Sequence, residues 1–261
     1  MTTMNLAVSR AGPVATVTLN RPEVRNAFNE ALIAELTATF SALAKEDDLR
    51  VIVLAAEGKA FCAGADLNWM KAMSGYSWEE NHADAGRLAE MLWTIYSCPV
   101  PVIARVQGDV YAGGVGLVSC CDMVVAVETA GFCLSEAKLG LLPATIAPYV
   151  VRALGEQASR RYFVTAERFS AQEAQRLGLV HELATAETLD AKVESLLTAI
   201  TANGPAAVRA CKRLVQDVAY APITPELRDD TARRIADIRA SDEGRAGVQS
   251  FLSKATPPWL S

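Results

Sequence analysis

The stretch Val100–Gly116, Val-Pro-Val-Ile-Ala-Arg-Val-Gln-Gly-Asp-Val-Tyr-Ala-Gly-Gly-Val-Gly, constrains this chain more than any other. Its first half has the continuous apolar character of a buried strand. Its end is too rich in glycine for a strand or helix interior, and the apolar run Leu117–Cys121 then reads as helix. Bare backbone therefore falls at a helix start. Amides there lack an intrahelical partner and sit at the positive end of the helix dipole, so a negative charge developing against Gly113 or Gly114 would be stabilised. The stretch reads as half of an oxyanion hole.

Other uses of such glycines fit less well. A dinucleotide fingerprint starting at Gly114 finds Gly116 in place but Ser119 at its third position, and no acidic ribose ligand follows. A phosphate-cradling loop would need Gly-Lys-Ser or Gly-Lys-Thr next, and neither is present. Close packing of a helix start against a strand remains a competing explanation of the pair.

With 261 residues, 51% of them hydrophobic, the chain can form one large core or a core with an appendage. No apolar run approaches the ~18 residues of a membrane span, and the first residues do not form a basic, apolar leader, so the cytoplasm is the expected compartment. The six cysteines are scattered without a Cys-x-x-Cys pair, which reads as buried thiols and neither a disulfide framework nor a metal site. A net charge of −5, without clusters of Lys or Arg, speaks against a nucleic-acid surface.

Along the chain, Val14–Leu19 alternates as a strand, a helix follows from about Asn29 to Lys45, and Val51–Ala56 is a second strand. Gly58–Leu67 is a loop of small residues that, like the glycine stretch, follows a buried strand and can present free amides. A helix from about His82 to Tyr96 should bury Ala85, Leu88, Leu92 and Ile95. Strands are expected at Met123–Val127, Gly131–Leu134 and Leu179–Val180, with Glu136 placed in a loop among apolar neighbours. Ser170 to Glu173 has the form of a capping box. Beyond about Glu187 only helices are read, with apolar stripes at Ile235 and Ile238 and at Val248, Phe251 and Leu252 suited to the core and to other subunits. No internal repeat is visible. Asp122 is read as a brace, both histidines as incidental, and Trp69, Trp78 and Trp93 as packing residues.

Four motifs in register resemble the crotonase, or enoyl-CoA hydratase/isomerase, superfamily. They are Leu19-Asn20-Arg21-Pro22 with Arg25-Asn26-Ala27; Phe61 to Leu67; Gly108 with Ala112-Gly113-Gly114 and Cys121-Asp122; and Glu136 with Leu139-Gly140. The resemblance implies an α/β fold, a crotonase-type spiral of ββα units over residues 1–200 with a C-terminal α-helical trimerisation region over residues 201–261. It implies a homo-oligomer, a trimer or a dimer of trimers, acting on an acyl-CoA thioester with no separate cofactor and no metal. The thioester oxygen would be held by the amides of Ala65 and Gly113, with Glu136 as acid-base. Arg25, Ala27, Lys59, Ala63, Asp66 and Leu67 would line the CoA path, and Lys254 would reach a neighbouring subunit's CoA phosphate.

The sequence departs from the pattern of the family it resembles at two places, Gly116 and the segment Ala144-Thr145-Ile146-Ala147-Pro148, which replaces the usual Gly-rich turn after the loop proline and is expected to reshape the acyl pocket. Two-carboxylate hydratases carry a first glutamate where this sequence has Gly116, so Glu136 stands alone. A single carboxylate suits a Δ3,Δ2-enoyl-CoA isomerase, while Glu80, His82 and Asp84 are candidates for a further acid. A finer resemblance, carried by Asp66–Met70, Ser135–Ala144, Ile146–Arg152 and Arg161–Phe169, is to bacterial hydratases of branched glutaconyl-CoA esters in leucine and acyclic-terpene breakdown. Hydration of such a 2-enoyl-CoA is the leading expectation. Isomerisation and non-catalytic acyl-CoA binding are the alternatives.

Overall fold

The computed structural model describes residues 5–260. Two sheets lie at its centre. The larger has the order β1-β2-β3-β5-β7-β10, formed by Leu6–Ala11, Val14–Leu19, Val51–Ala56, Val102–Val106, Met123–Val127 and Glu182–Ala184. The smaller has the order β4-β6-β8-β9, formed by Ala60–Cys62, Asp109–Tyr111, Gly131–Cys133 and Arg168–Ser170. Consecutive strands alternate between the sheets: β3 passes to β4, β5 to β6 and β7 to β8. Each such pair leads into helical segments: α2 (Leu67–Met73) with α3 (Trp78–Tyr96), then α4 (Gly113–Ser119), then α5 (Ala147–Leu154). This is the expected spiral of strand-strand-helix turns. It repeats in space although no repeat is visible in the sequence.

The pairings β2-β3, β3-β5, β5-β7 and β7-β10 are parallel, as are β4-β6 and β6-β8. Parallel strands covered on both faces need apolar side chains on both, and all six residues of β3 are buried. The helix α1 (Glu30–Leu43), capped by the Asn29 side chain on the Leu32 amide at 2.8 Å, buries Leu32, Ile33, Leu36, Phe40 and Leu43 as its spacing predicts. Of the residues expected to face inward on α3, Leu92 and Ile95 do so and Leu88 packs half-buried against the core. Ala85 is exposed, and Asp84 is buried in its stead. That helix also starts a turn earlier than its apolar pattern, at a capping box of Ser77 and Glu80.

Other expectations are corrected. Leu179 and Val180 are buried in a turn, and the last strand is β10, a few residues later. The strand β1 shows no alternation because only Leu6 is buried; it is an exposed edge joined to β2 by a tight antiparallel turn. At α7 (Ala171–Leu177) Ser170 caps the Glu173 amide, but the Glu173 carboxylate is taken by Arg176 and by the Tyr162 hydroxyl, so the box is half made. Trp69 packs inside, whereas Trp78 lies exposed with its ring stacked on His82.

After α6 (Glu156–Thr165) and α8 (Leu189–Thr201), the chain ends in α9 (Pro205–Val218), α10 (Pro225–Ala240) and α11 (Asp242–Ser253). Beyond Val208, which packs against the core, the attachment of α9 is made by polar bonds. Arg209 donates to the carbonyls of Glu46 and Leu49, Gln216 to that of Tyr96, and Lys212 to that of Val100. Lys212 also meets Asp122 at 2.6 Å, and Asp122 accepts from the Val102 amide, so this aspartate braces the start of β5 and the tail together. None of α9, α10 and α11 contains a fully buried residue, and Val215, Val248, Phe251 and Leu252 stay exposed. No helix among the described residues is long and apolar enough to cross a membrane.

The Lys212 side chain is only 7% exposed and that of Asp122 26%, so removing the lysine charge leaves a half-buried carboxylate without its partner. Lys212→Met should cost about 3 kcal/mol of unfolding free energy. Adding Asp122→Asn should recover part of that loss; chemical denaturation of the two variants measures both.

Candidate active site

Three adjacent parallel strands, β4, β6 and β8, end on the same edge of the smaller sheet. Ala65 lies three residues beyond the end of β4, Gly113 two beyond β6, and Glu136 three beyond β8. The carboxyl ends of parallel strands are where open α/β sheets place their ligands. All three residues of the expected site thus issue from one edge.

The first two loops touch. A Cβ added at Gly64 would lie 2.9 Å from the Ala112 Cβ and 3.4 Å from the Tyr111 oxygen, so this contact admits only glycine, which also holds φ +90° there. Phe28 binds both loops from below. Its amide donates to the Gly64 carbonyl at 2.7 Å and its carbonyl accepts from the Asp66 amide at 2.8 Å, which leaves the Ala65 amide between them without a partner among the described residues. Its ring lies where a side chain at Gly113 would be, 3.1 Å from such a Cβ.

Gly113 opens α4, so its amide has no intrahelical acceptor. Ala112 before it takes φ +48° and ψ −122°, a conformation unfavourable for a residue with a Cβ. It is held there by its own amide on the Cys133 carbonyl at 2.8 Å. That bond ties the second amide loop to the strand that carries Glu136.

Glu136 begins a short 3-10 turn, Glu136–Leu139, whose end is closed by Gly140 in the left-handed region. Its Oε2 is buried and has no hydrogen-bond partner. Burial pushes the Glu136 carboxyl above its ordinary value, and its own backbone amide offsets only part of this. A carboxyl with one buried oxygen left unpaired is costly for stability and apt for moving protons.

Of the residues expected along a CoA path, Arg25, Ala27, Ala63, Asp66 and Leu67 are arranged around the first loop, and Lys59 and Lys254 are not. Arg25, at φ +54°, offers its carbonyl to the Ala63 amide at 3.0 Å, and Ala27 gives its carbonyl to Arg21. Although burial pushes the Asp66 carboxyl up, the Asn68 amide and the Arg21 guanidinium, the latter at 2.9 Å, outweigh it and hold the group below the usual range. Asp66 therefore caps α2 and anchors the loop. Leu67 is 81% exposed. Lys59 is exposed at the opposite end of β4, and Lys254 is set apart on the tail, capping α11.

The further acid candidates are engaged elsewhere. Glu80 closes its capping box, His82 stacks on Trp78, and Asp84 pairs with Arg87 at 2.6 Å. Among the described residues, no three His, Cys, Asp or Glu side chains gather as a metal site would require.

A family model described as Enoyl-CoA hydratase/isomerase matches residues 9–261. The chain belongs to that family. A putative enoyl-CoA hydratase of Thermus thermophilus is 32% identical over 246 residues, covering 94% of this chain and 97% of that protein. The 2,3-dehydroadipyl-CoA hydratase of Escherichia coli is 31% identical over 255 residues, covering 97% of each. An enoyl-CoA hydratase structure from Shewanella pealeana has a TM-score of 0.95 at 40% identity, covering 98% of this chain and 96% of that one. The fold is the crotonase fold expected from the four motifs, and the chain is an enzyme of the enoyl-CoA hydratase class.

Two residues that build this candidate site escape sequence reasoning. Phe28 looks like ordinary core, and its tie to both loops depends on backbone bonds across the chain. Asn26 lies inside a quoted motif, but only the fold shows its side chain donating to the carbonyls of Glu57 and Ala60 while accepting from the Arg21 amide. Phe28→Ala should cost about 3–5 kcal/mol of stability. It should also lower kcat more than it raises KM, whereas Phe28→Leu should largely spare both; steady-state kinetics beside denaturation curves would show this.

Proposed function

We propose that this enzyme hydrates a 2-enoyl-CoA through one carboxylate and two backbone amides. The observation that carries the reading is the half-buried Glu136, with one carboxylate oxygen buried and unpartnered among the described residues, on the same sheet edge as the amides of Ala65 and Gly113. In this reading the thioester oxygen docks on the amides of Ala65 and Gly113. Glu136 accepts a proton from water as the water oxygen bonds to C3. The electron pair of the double bond moves onto the thioester oxygen as an enolate, and Glu136 then returns the proton to C2. Each preorganised amide is worth ~3 kcal/mol of barrier lowering.

CoA would run past Arg25, Ala27, Lys59, Ala63, Asp66 and Leu67, and the bare Leu67 side chain suits a surface that a ligand covers. A branched acyl group of the 3-methylglutaconyl type is the proposed substrate, supported by the motif resemblance around Ser135–Ala144. Residues 201–261 would form the oligomerisation region of a trimer or dimer of trimers, with Lys254 reaching a neighbour's CoA. The exposed apolar residues of α9 and α11 support this. The proposed compartment is the cytoplasm.

One observation favours a second reading. The place of the family's first glutamate is Gly116, with Ile146 packed against it. A lone carboxylate can carry a proton from C2 to C4 and so convert a 3-enoyl-CoA into its 2-enoyl isomer.

Crotonyl-CoA and 3-methylglutaconyl-CoA should lose their conjugated absorbance with formation of a 3-hydroxyacyl product. Conversion of a 3-enoyl-CoA without hydroxy product would select isomerisation. Inactivity on all three, with CoA esters still bound, would leave a binding protein. Glu136→Gln should lower kcat by roughly 10²–10⁴-fold.

The acid limb of kcat/KM should lie above the ordinary glutamate range, since the raised Glu136 must ionise to act as base, and a pH-rate profile reads this directly. The same shift has a stability consequence. A folded-state value above the unfolded one means that folding favours the protonated form, so stability is lost as pH rises through it. Glu136→Gln should therefore be the more stable protein at neutral pH, with its advantage fading as the pH is lowered.

A further inference from the structure

We propose that Ile146 is the acyl-specificity residue of this enzyme, an apolar wall that closes the site beside Gly116, one helical turn from the Gly113 amide. The inference rests on the reading of Gly113 as a thioester donor.

Gly113 and Gly116 are three residues apart on α4, about 4.5 Å along the axis and on the same side of the helix. C3 of an enoyl chain is only three bonds from the carbonyl oxygen, so a thioester held at Gly113 brings its reacting carbons towards this turn. The space beside Gly116 is taken. A Cβ built there would overlap Ile146 Cγ2 and lie 2.5 Å from Ile146 Cβ and 3.5 Å from its Cα. Ile146 is 2% exposed.

Its backbone is held as firmly as its side chain. The Ile146 carbonyl accepts from the amides of Tyr149 and Val150, each at 3.0 Å, and the next amide, Ala147, donates to Pro143 at 2.9 Å. A β-branched side chain has little rotamer freedom, so the wall does not swing aside for a larger group. Two consequences follow. No side chain of any length fits at residue 116 while Ile146 is present, and the packing at this turn is hydrocarbon, so an acyl chain that reaches it is read by steric fit.

The test uses binding of saturated acyl-CoA esters, which cannot be hydrated and so report on the wall whether or not the proposed reaction occurs. Dissociation constants for butyryl-CoA and its 3-methyl homologue isovaleryl-CoA would be measured by calorimetry on the wild type, Ile146→Val and Ile146→Ala. The alanine variant should shift the ratio towards the branched ester by about tenfold, the scale of a methyl group in an apolar pocket, with the valine variant between. A ratio unchanged within twofold in whichever variants fold, as judged by circular dichroism, overturns the proposal.

A stability cycle adds a second arm. Gly116→Ala should lower the unfolding midpoint in the wild-type background and much less beside Ile146→Ala; equal losses in both backgrounds would show that the two positions do not share one space. Failure of the hydratase reading would look different, as absent turnover of every enoyl-CoA with the binding ratios still responding to residue 146.

Discussion

Everything in this site depends on the parallel register of β4, β6 and β8. Two peptide amides can meet one oxygen atom only if their loops leave the sheet at the same edge and are kept from sealing on each other or on the chain. The register achieves the first condition by pairing Cys62 with Val110 and Tyr111 with Cys133. The second comes from Phe28, which occupies the acceptor and donor on either side of Ala65 and leaves that amide free, and from the helix start at Gly113, which has no acceptor to offer its own amide. Donors held in advance need no rearrangement when charge develops, which is why such sites stabilise an enolate far better than water does.

The same region concentrates features that a stable protein would otherwise avoid. Ala112 sits at φ +48°, Arg25 and Asn26 hold positive φ, and Glu136 has a carboxylate oxygen buried without a partner. Each costs stability, and each lies at or beside the proposed reacting groups. The large sheet and its covering helices offset those costs. The central strand β3 is buried on both faces, and the Asp122–Lys212 pair fastens the tail to the strands. A rigid, apolar core thus supports a short edge on which backbone is bent out of its preferred conformations.

Gly116 and Ile146 show how the acyl end of such a site can change without any change of fold. The glycine is not a vacancy, because the isoleucine from the segment before α5 fills the volume a side chain would need. A side chain at residue 116 and the side chain of Ile146 would therefore compete for one volume.

Much of this could be read in the residues. The strands Val14–Leu19, Val51–Ala56 and Met123–Val127 stand where their apolar patterns put them, as do α1 and the tail helices. In those segments the burial of one face or of both imposes a period that composition cannot hide. The four motifs carried the family and the fold. The short strands β4, β6 and β9 were less legible, because three residues hold no period and exist only through the neighbours that accept their hydrogen bonds. Likewise the repeat of the spiral is one of position in space, and unlike residues satisfy it. Which amides remain unpaired, which carboxylate lacks a partner, and which side chain stands over Gly116 were decided by tertiary structure alone. Each is a relation between segments far apart in the chain, and a linear pattern records only what a residue is, not what comes to lie beside it.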